Sequence, residues 1–524
     1  MDMGTPNRRF ISAGDIIDIE RERERIQDII DCSKKIDERR IMGQFATPYE
    51  LAKEIISYGL SLLQDDEIQL LEPSFGTGSF FSALLSTNKS KSISNITGYE
   101  IDSEIYQKAV SLWSENQYNL ICGDFLTAQA KNNYNLLISN PPYVRHHFIN
   151  KEQKAKLGKD VKKETNLSIS GLAGLYCYFI LLAHKWLKPG AISGWLIPSE
   201  FMDVNYGKTI KDYLLNNVHL LRIHRYVPEN SKFKDALVSS CVVWFKNEIV
   251  DADYTVELSY GGTHEKPSST RLVTKKQLQI ESKWTSITAK PITSKEDEKQ
   301  GPTLGDYFTI KRGLATGDNN FFILSKEQIM DLDLDMSFFT PILPSPHKLK
   351  ENEILKDSLG YPLLETQYFL LDCLLSEEEI KADHPNIWKY LESGKATTGQ
   401  KYLCRNRKKW YFQERRSATP FLCSYMGRSK SEFDNPFRFI LNHTNAVATN
   451  SYMMLYPKKD ILQLLSRNPE SSFEIWKALR SISRYDLESQ GRVYGGGLKK
   501  IEPRELSKVR CEKLSELIVK GGAI

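Results

Sequence analysis

Short apolar runs alternate with helically spaced stretches from about residue 41 to 250. Runs at 69–72, 96–100, 119–122, 135–139, 191–197, 220–226 and 237–245 have the length of buried strands. Between them, apolar positions predict helices near 48–63, 78–87, 102–116, 172–187 and 205–217. Strands separated by crossover helices fold as a doubly wound, mostly parallel α/β sheet. The last two strands stand close in sequence, which suits an antiparallel hairpin at the sheet edge. Ahead of this region, Ile16, Ile19, Ile26, Ile29, Ile30 and Ile36 recur at roughly helical spacing amid dense mixed charge. That pattern predicts a long amphipathic helix over 15–40, read as a solvated structural arm.

Residues 251–300 are polar and rich in Ser, Thr and Lys, and read as a connector. Beyond 301 the alternation is lost and aromatic, Pro and Gly residues become frequent, which predicts a second domain of mixed α and β structure. The expected organisation is an arm (1–40), an α/β domain (41–250), a connector (251–300) and a mixed domain (301–524).

Composition changes this picture little. The chain has 524 residues, 40% apolar and 26% charged, which excludes collagen-like and wholly disordered classes. Eight cysteines include no CxxC pair and no zinc-like His spacing, so free thiols of a reducing compartment and no metal are expected. No signal-peptide pattern opens the chain, and the most apolar stretch, Leu172 to Leu187, is interrupted by His184 and Lys185. It is too short to span a bilayer. The net charge is only +5, but 395–438 holds eleven Lys or Arg against Glu414, Glu432 and Asp434. Tyr402, Trp410, Tyr411, Phe412, Phe421 and Tyr425 are interleaved there, a composition that favours nucleic-acid binding.

The candidate chemistry lies at strand ends. LEPSFGTGSF follows the first strand, with Glu72, Pro73, Gly76 and Gly78 entering a helix. Glycines at such a turn let the backbone approach a ligand. Glu100 ends the second strand 22 residues beyond Gly78, close to the roughly 20-residue offset at which an acid meets ribose hydroxyls. Asp124 follows the third strand and could accept from an adenine amino group. An acid at the loop's start repels a pyrophosphate but suits a cationic ligand. Asn140-Pro141-Pro142-Tyr143 ends the fourth strand. Its two prolines remove N–H donors, leaving the Asn140 side-chain oxygen and the Pro141 carbonyl to hold both hydrogens of a planar amino group. Tyr143 offers a stacking face. The pattern suits direct attack of an amine on an activated methyl group, with no covalent enzyme intermediate.

These stretches, together with GQFATP (Gly43–Pro48), GYEID, GDF and LYCYFILLAHKWLKPGAISGWLIPSEF, resemble the gamma class of N6-adenine DNA methyltransferases typical of type II restriction–modification systems. Only 16 residues separate Asp124 from Asn140, which leaves no room for a recognition domain between them and supports that class. The resemblance implies a class I methyltransferase fold using S-adenosyl-L-methionine. It implies Thr47, Glu72, Pro73, Gly76, Gly78, Glu100 and Asp124 at the cofactor and Asn140, Pro141, Pro142 and Tyr143 in catalysis. Phe233, in KFKDALVSSCVVWF, is the aromatic expected to stack on a flipped adenine, while His146 and His147 are expected at the DNA backbone or surface. LGDYFTIKRGLATGDNNFFIL (304–324) and GRVYGGGLKKIEP (491–503) resemble the family's target-recognition region. Double-stranded DNA, a separate restriction endonuclease, a monomer or weak dimer and a bacterial or archaeal cytoplasm follow as expectations. No fused nuclease is expected. RNA or protein-glutamine methylation, N4-cytosine methylation, and a catalytically inactive DNA-binding relative are the alternatives.

Overall fold

The computed structural model describes residues 13–88, 90–113, 118–130, 133–226, 240–289, 301–428, 435–468, 470–493 and 498–522. They fall into two compact units, one within Met1–Lys290 and one within Pro291–Val493 and Gly497–Ile524.

The first unit is built on one sheet. Its strands are β1 (Glu67–Glu72), β2 (Ser92–Glu100), β3 (Asn119–Cys122), β4 (Tyr134–Ser139), β5 (Leu187–Pro198), β6 (His219–Arg225), β7 (Ser240–Lys246), β8 (Thr255–Gly262) and β9 (Pro267–Thr274). They lie in the order β3-β2-β1-β4-β5-β7-β6-β8-β9. From β3 to β5 all pairings are parallel, and β7 runs antiparallel to both its neighbours. The helices are α1 (Ala13–Ser33), α2 (Ile36–Met42), α3 (Tyr49–Leu62), α4 (Ser79–Thr87), α5 (Ser103–Trp113), α6 (Lys151–Thr165), α7 (Leu175–Ala183) and α8 (Lys208–Asn216).

Both faces of the sheet are covered. Leu70, Leu136 and Leu196 join α3 and α4 in one core, while their neighbours Leu71, Leu137 and Trp195 join α7 in another. This two-sided burial explains why the central strands read as continuous apolar runs rather than alternating ones. The chain runs outward through β1, β2 and β3, then returns to place β4 on the other side of β1. That reversal opens a crevice at the carboxyl ends of β1 and β4, where ligands bind in open α/β sheets.

Three expectations are corrected. The pair β6–β7 is not an edge hairpin, because β7 inserts between β5 and β6 and the sheet continues through β8 and β9. Consequently 251–289 is no connector: Val256 and Leu258 of β8 are buried, and β9 is polar because it is the exposed edge. The arm is two helices, broken where Lys35 is extended (φ −63°, ψ 144°), and it is docked rather than solvated, with Glu20, Arg23 and Ile30 buried.

The second unit is mixed α and β. Phe308–Arg312, Tyr452–Pro457, Phe421–Ser424, Phe439–Asn442 and Glu353–Ile354 form its largest sheet, in that spatial order. Helix Ser471–Arg480 packs Ile475 and Trp476 into the same core as Phe421 and Leu455. Among the described residues no helix is long and apolar enough to cross a membrane, and all eight cysteines are free thiols.

Candidate active site

A cavity of about 310 Å³ opens at the carboxyl ends of β1, β2, β3 and β4. Of the residues singled out by sequence, Pro73, Gly76, Glu100, Asp124, Asn140 and Pro142 line it. The glycine loop turns through two left-handed residues, Gly76 (φ 56°) and Gly78 (φ 88°). A side chain on Gly78 would meet the Trp113 indole at 2.7 Å, whereas Gly76 faces open space. Glu100 accepts from the backbone N–H of Gly76 (2.9 Å) and of Asp102 (2.8 Å), so the end of β2 holds the loop in place. Burial raises the pKa of Glu100 against those two donors. Asp124 accepts from Leu126 N–H at 2.9 Å.

Glu72 lies behind the loop, fully buried, with Oε2 unpartnered. Burial pushes its carboxyl well above the usual carboxylate range; Arg23 opposes that and Glu100 adds to it. A buried carboxylate oxygen without a hydrogen-bond partner is costly, and a positively charged donor can satisfy it.

Asn140 is oriented from both sides. Its Nδ2 donates to the Phe45 carbonyl (2.9 Å) and the Thr47 hydroxyl (3.0 Å), and the Ser74 hydroxyl donates to its backbone carbonyl (2.8 Å). With both amide hydrogens spent, Oδ1 is left buried and without a partner. Thr47 therefore serves Asn140 in this structure and does not line the cavity. The GQFATP segment reaches this position because Gly43 (φ 66°) packs where a Cβ would stand 2.4 Å from Tyr143 N. Tyr143 departs from expectation: it is 8% exposed, and its hydroxyl donates to Leu196 O at 3.0 Å. Its ring anchors the turn to β5, with Phe45 at 6.1 Å between centroids, so no open stacking face is presented. Phe233 lies outside the described residues. Partial burial lowers the pKa of His146, and Lys154 and His147 nearby act in the same direction.

Sequence reasoning missed the arm. Gln27, Ile30, Asp31, Lys34 and Arg39 form one wall of the cavity, and Phe148, just past the Asn-Pro-Pro-Tyr turn, forms another part. The acid–base spacing of Glu20 and Arg23 was the available signal, but such pairs are usually solvated.

A second cluster brings Glu54, His224 and His264 together. His264 Nδ1 bonds Glu54 at 2.9 Å and its Nε2 accepts from the Trp244 indole at 3.1 Å. Both ring nitrogens are thus engaged by protein groups, and the cluster reads as a buried hydrogen-bonded tie between α3, β7 and the β8–β9 turn.

In the second unit the basic stretch splits into two populations. Lys401 pairs with Asp318 at 2.5 Å, Arg415 with Asp372 at 3.3 Å and Arg416 with Glu414 at 2.7 Å. Arg438 donates to Asn352 and to the carbonyls of Pro346, Leu349, Lys350 and Glu351, which makes it a structural clamp. Tyr411, Phe421 and Tyr425 are buried. Arg405, Lys408 and Arg428 remain exposed, as does Tyr402.

The family described as Eco57I restriction-modification methylase matches residues 25–233, and the Type II methyltransferase M.Eco57I C-terminal domain matches 281–520. Type II methyltransferase M.AccI of Acinetobacter calcoaceticus is 25% identical over 496 residues, covering 91% of this chain and 87% of its own. Type II methyltransferase M.XamI of Xanthomonas campestris pv. amaranthicola is 26% identical, covering 72% and 68%. Among solved structures, the type IIL restriction-modification enzyme MmeI in complex with DNA shares the fold, at a TM-score of 0.50 and 14% identity over 99% of this chain and 77% of that one. Both halves of the chain therefore lead to the same kind of enzyme: it carries the two domains of Eco57I-type restriction–modification methylases, and it is a DNA methyltransferase with S-adenosylmethionine as cofactor.

Proposed function

We propose that the chain methylates the 6-amino group of an adenine flipped out of double-stranded DNA. The buried, unpartnered Oδ1 of Asn140 at the end of β4 carries this reading. A planar amino group offers two hydrogens, and Oδ1 with the Pro141 carbonyl can accept both. Accepting them draws the nitrogen toward tetrahedral geometry and localises its lone pair. This is stabilisation of developing charge by prepositioned acceptors. Thr47 and the Phe45 carbonyl prevent the Asn140 amide from turning. Pro141 and Pro142 fix the turn, and Tyr143 ties it to β5. The amino group is paired inside the duplex, so the base must leave the stack.

When bound, S-adenosylmethionine supplies an electrophilic methyl on its sulfonium. Glu72 with its unpartnered oxygen suits the ligand's ammonium group, Glu100 its ribose hydroxyls and Asp124 its adenine amino group. Pro73, Gly76 and Gly78 shape the turn that admits it. The second unit is assigned target recognition, with Arg405, Lys408 and Arg428 among its exposed cations. A separate restriction endonuclease, in the cytoplasm of a bacterium or archaeon, would be checked by the mark this enzyme leaves.

Transfer of labelled methyl from S-adenosylmethionine into duplex DNA, followed by nucleoside chromatography, tests this. The expected label is N6-methyladenine, and Asn140→Ala is expected to lose about 10²–10³-fold in kcat with cofactor binding retained. Label in N4-methylcytosine would overturn the base assignment, and label in RNA or protein with none in DNA would overturn the substrate.

A further inference from the structure

From the Asn-Pro-Pro-Tyr turn the chain runs through residues 144–150 into α6. Phe148 and Gln153, on either side of the start of α6, both line the cavity, and Phe148 is 48% exposed, which places this junction at the cavity's opening. The Val144 carbonyl accepts from Leu175 N–H at 2.9 Å, so the same segment is tied to the start of α7. Asn150 caps α6, its side chain accepting from Gln153 N–H at 2.7 Å, and Asn166 in the left-handed region (φ 58°) ends it. Leu157, Val161 and Thr165, four residues apart, are buried, and the first two join the core around α7. That stripe fixes which face of the helix looks outward.

The outward face is basic. Lys151, Lys156, Lys159, Lys162 and Lys163 are exposed on it together with Glu152, while Asp160 and Glu164 are half-buried at its flank. Glu152 stands four residues before Lys156, a spacing that favours an ion pair on a helix. Among the described residues, however, none of the α6 lysines forms one, and neither does the exposed Arg145. Lys162 donates instead to the Asn166 carbonyl at 2.9 Å. Lys159 has Lys156 three residues before it and Lys163 four residues after, and like charges so placed destabilise a helix. In the second unit Lys401, Arg415 and Arg416 all have carboxylate partners. A lysine face that repels itself and has no acid of its own to neutralise it is matched by a polyanion. Duplex DNA carries one negative charge for about every 1.7 Å of its axis. With 15 residues, α6 is about 22 Å long, enough to run beside on the order of a dozen phosphates.

We propose that the outward lysine face of α6, with Arg145, is a DNA-backbone clamp of the first unit, holding duplex phosphates beside the cavity without reading sequence. The inference rests on duplex DNA as the substrate.

Fluorescence anisotropy of the full chain with labelled DNA duplexes of two unrelated sequences and with an RNA duplex, over a range of salt, tests it. Lys156→Gln/Lys159→Gln/Lys163→Gln is expected to lower the slope of log DNA affinity against log salt by roughly three. Affinity near physiological salt falls by roughly 10–100-fold, equally for both DNA sequences. The corresponding Lys→Arg triple variant keeps the original slope. Calorimetric affinity for S-adenosylmethionine and the thermal midpoint stay in place, because these side chains face water. Should the Gln variant lower the midpoint, Lys159→Gln alone gives the same readout, with the slope lower by about one. An unaltered slope in a protein that binds DNA overturns the proposal, as does a loss confined to one DNA sequence or to RNA. Failure of the unsubstituted protein to bind either DNA duplex at low salt instead overturns the reading of the substrate.

Discussion

Asn140 shows how little of a functional side chain lies in its own identity. An asparagine amide has two donor hydrogens and an acceptor oxygen, and the proposed reaction uses only the acceptor. Phe45 O and Thr47 Oγ1 occupy the donors, so the acceptor is directed by elimination. Thr47→Val removes one of these partners while keeping shape. A neutral hydrogen bond is worth about 1 kcal/mol net, so kcat is expected to fall several-fold, with KM for S-adenosylmethionine unchanged. Steady-state kinetics with each substrate varied checks this. A raised KM for the cofactor with kcat intact would return Thr47 to the cofactor role implied by resemblance. The motif residues were legible in sequence, but this partner was not, because 93 residues separate Thr47 from Asn140.

Secondary-structure elements were legible where both faces of the sheet are buried. β1 and β4 carry short apolar runs, Leu70–Leu71 and Leu136–Ile138, bounded by turn residues, so each was found near its true limits. β9 and α6 were missed for the opposite reason: most of their residues face water, and no apolar periodicity marks them. The basic stretch 395–438 shows the same limit in charge. Composition cannot separate a guanidinium that binds a ligand from one that holds carbonyls. Arg438, with its five acceptors, belongs to the second kind. Arg438→Lys cannot reproduce the planar fork and is expected to cost the second unit about 2–4 kcal/mol, read as a lower thermal midpoint. Arg405→Glu with Lys408→Glu is expected to leave the midpoint in place. DNA affinity should fall, and the slope of log affinity against log salt should drop by roughly two. A double variant with an unaltered salt slope would remove these side chains from the DNA surface.

At the scale of the whole molecule, the cavity proposed to hold the cofactor is lined by residues of the first unit. A ligand that binds only the folded state at a hundred times its Kd stabilises by about 2.7 kcal/mol. S-adenosylmethionine is therefore expected to raise the thermal midpoint, and the sign of its pH dependence follows from Glu72. Its folded-state pKa is raised, so protonation favours the folded apoprotein; this contribution is complete below the unfolded value and fades as pH rises. With Glu72 as the proposed partner of the cofactor's ammonium group, binding favours the ionised form, so the stabilising shift grows toward alkaline pH. Differential scanning calorimetry with and without cofactor measures this; a shift that shrinks with rising pH would contradict it.

The sequence by itself determined the α/β class, the order of the acids and the Asn-Pro-Pro-Tyr turn at successive strand ends, because these depend on local apolar runs and turn residues. It also determined which chemistry those residues allow. Tertiary structure alone decided that the arm walls the cavity at the carboxyl ends of β1 to β4, that 251–289 extends the sheet and that Thr47 serves Asn140. It also placed the ring of Tyr143 against β5. Each of these depends on residues distant in sequence meeting across a packed core. Charge and polarity, read along the chain, do not say whether a group faces water, a ligand or another side chain.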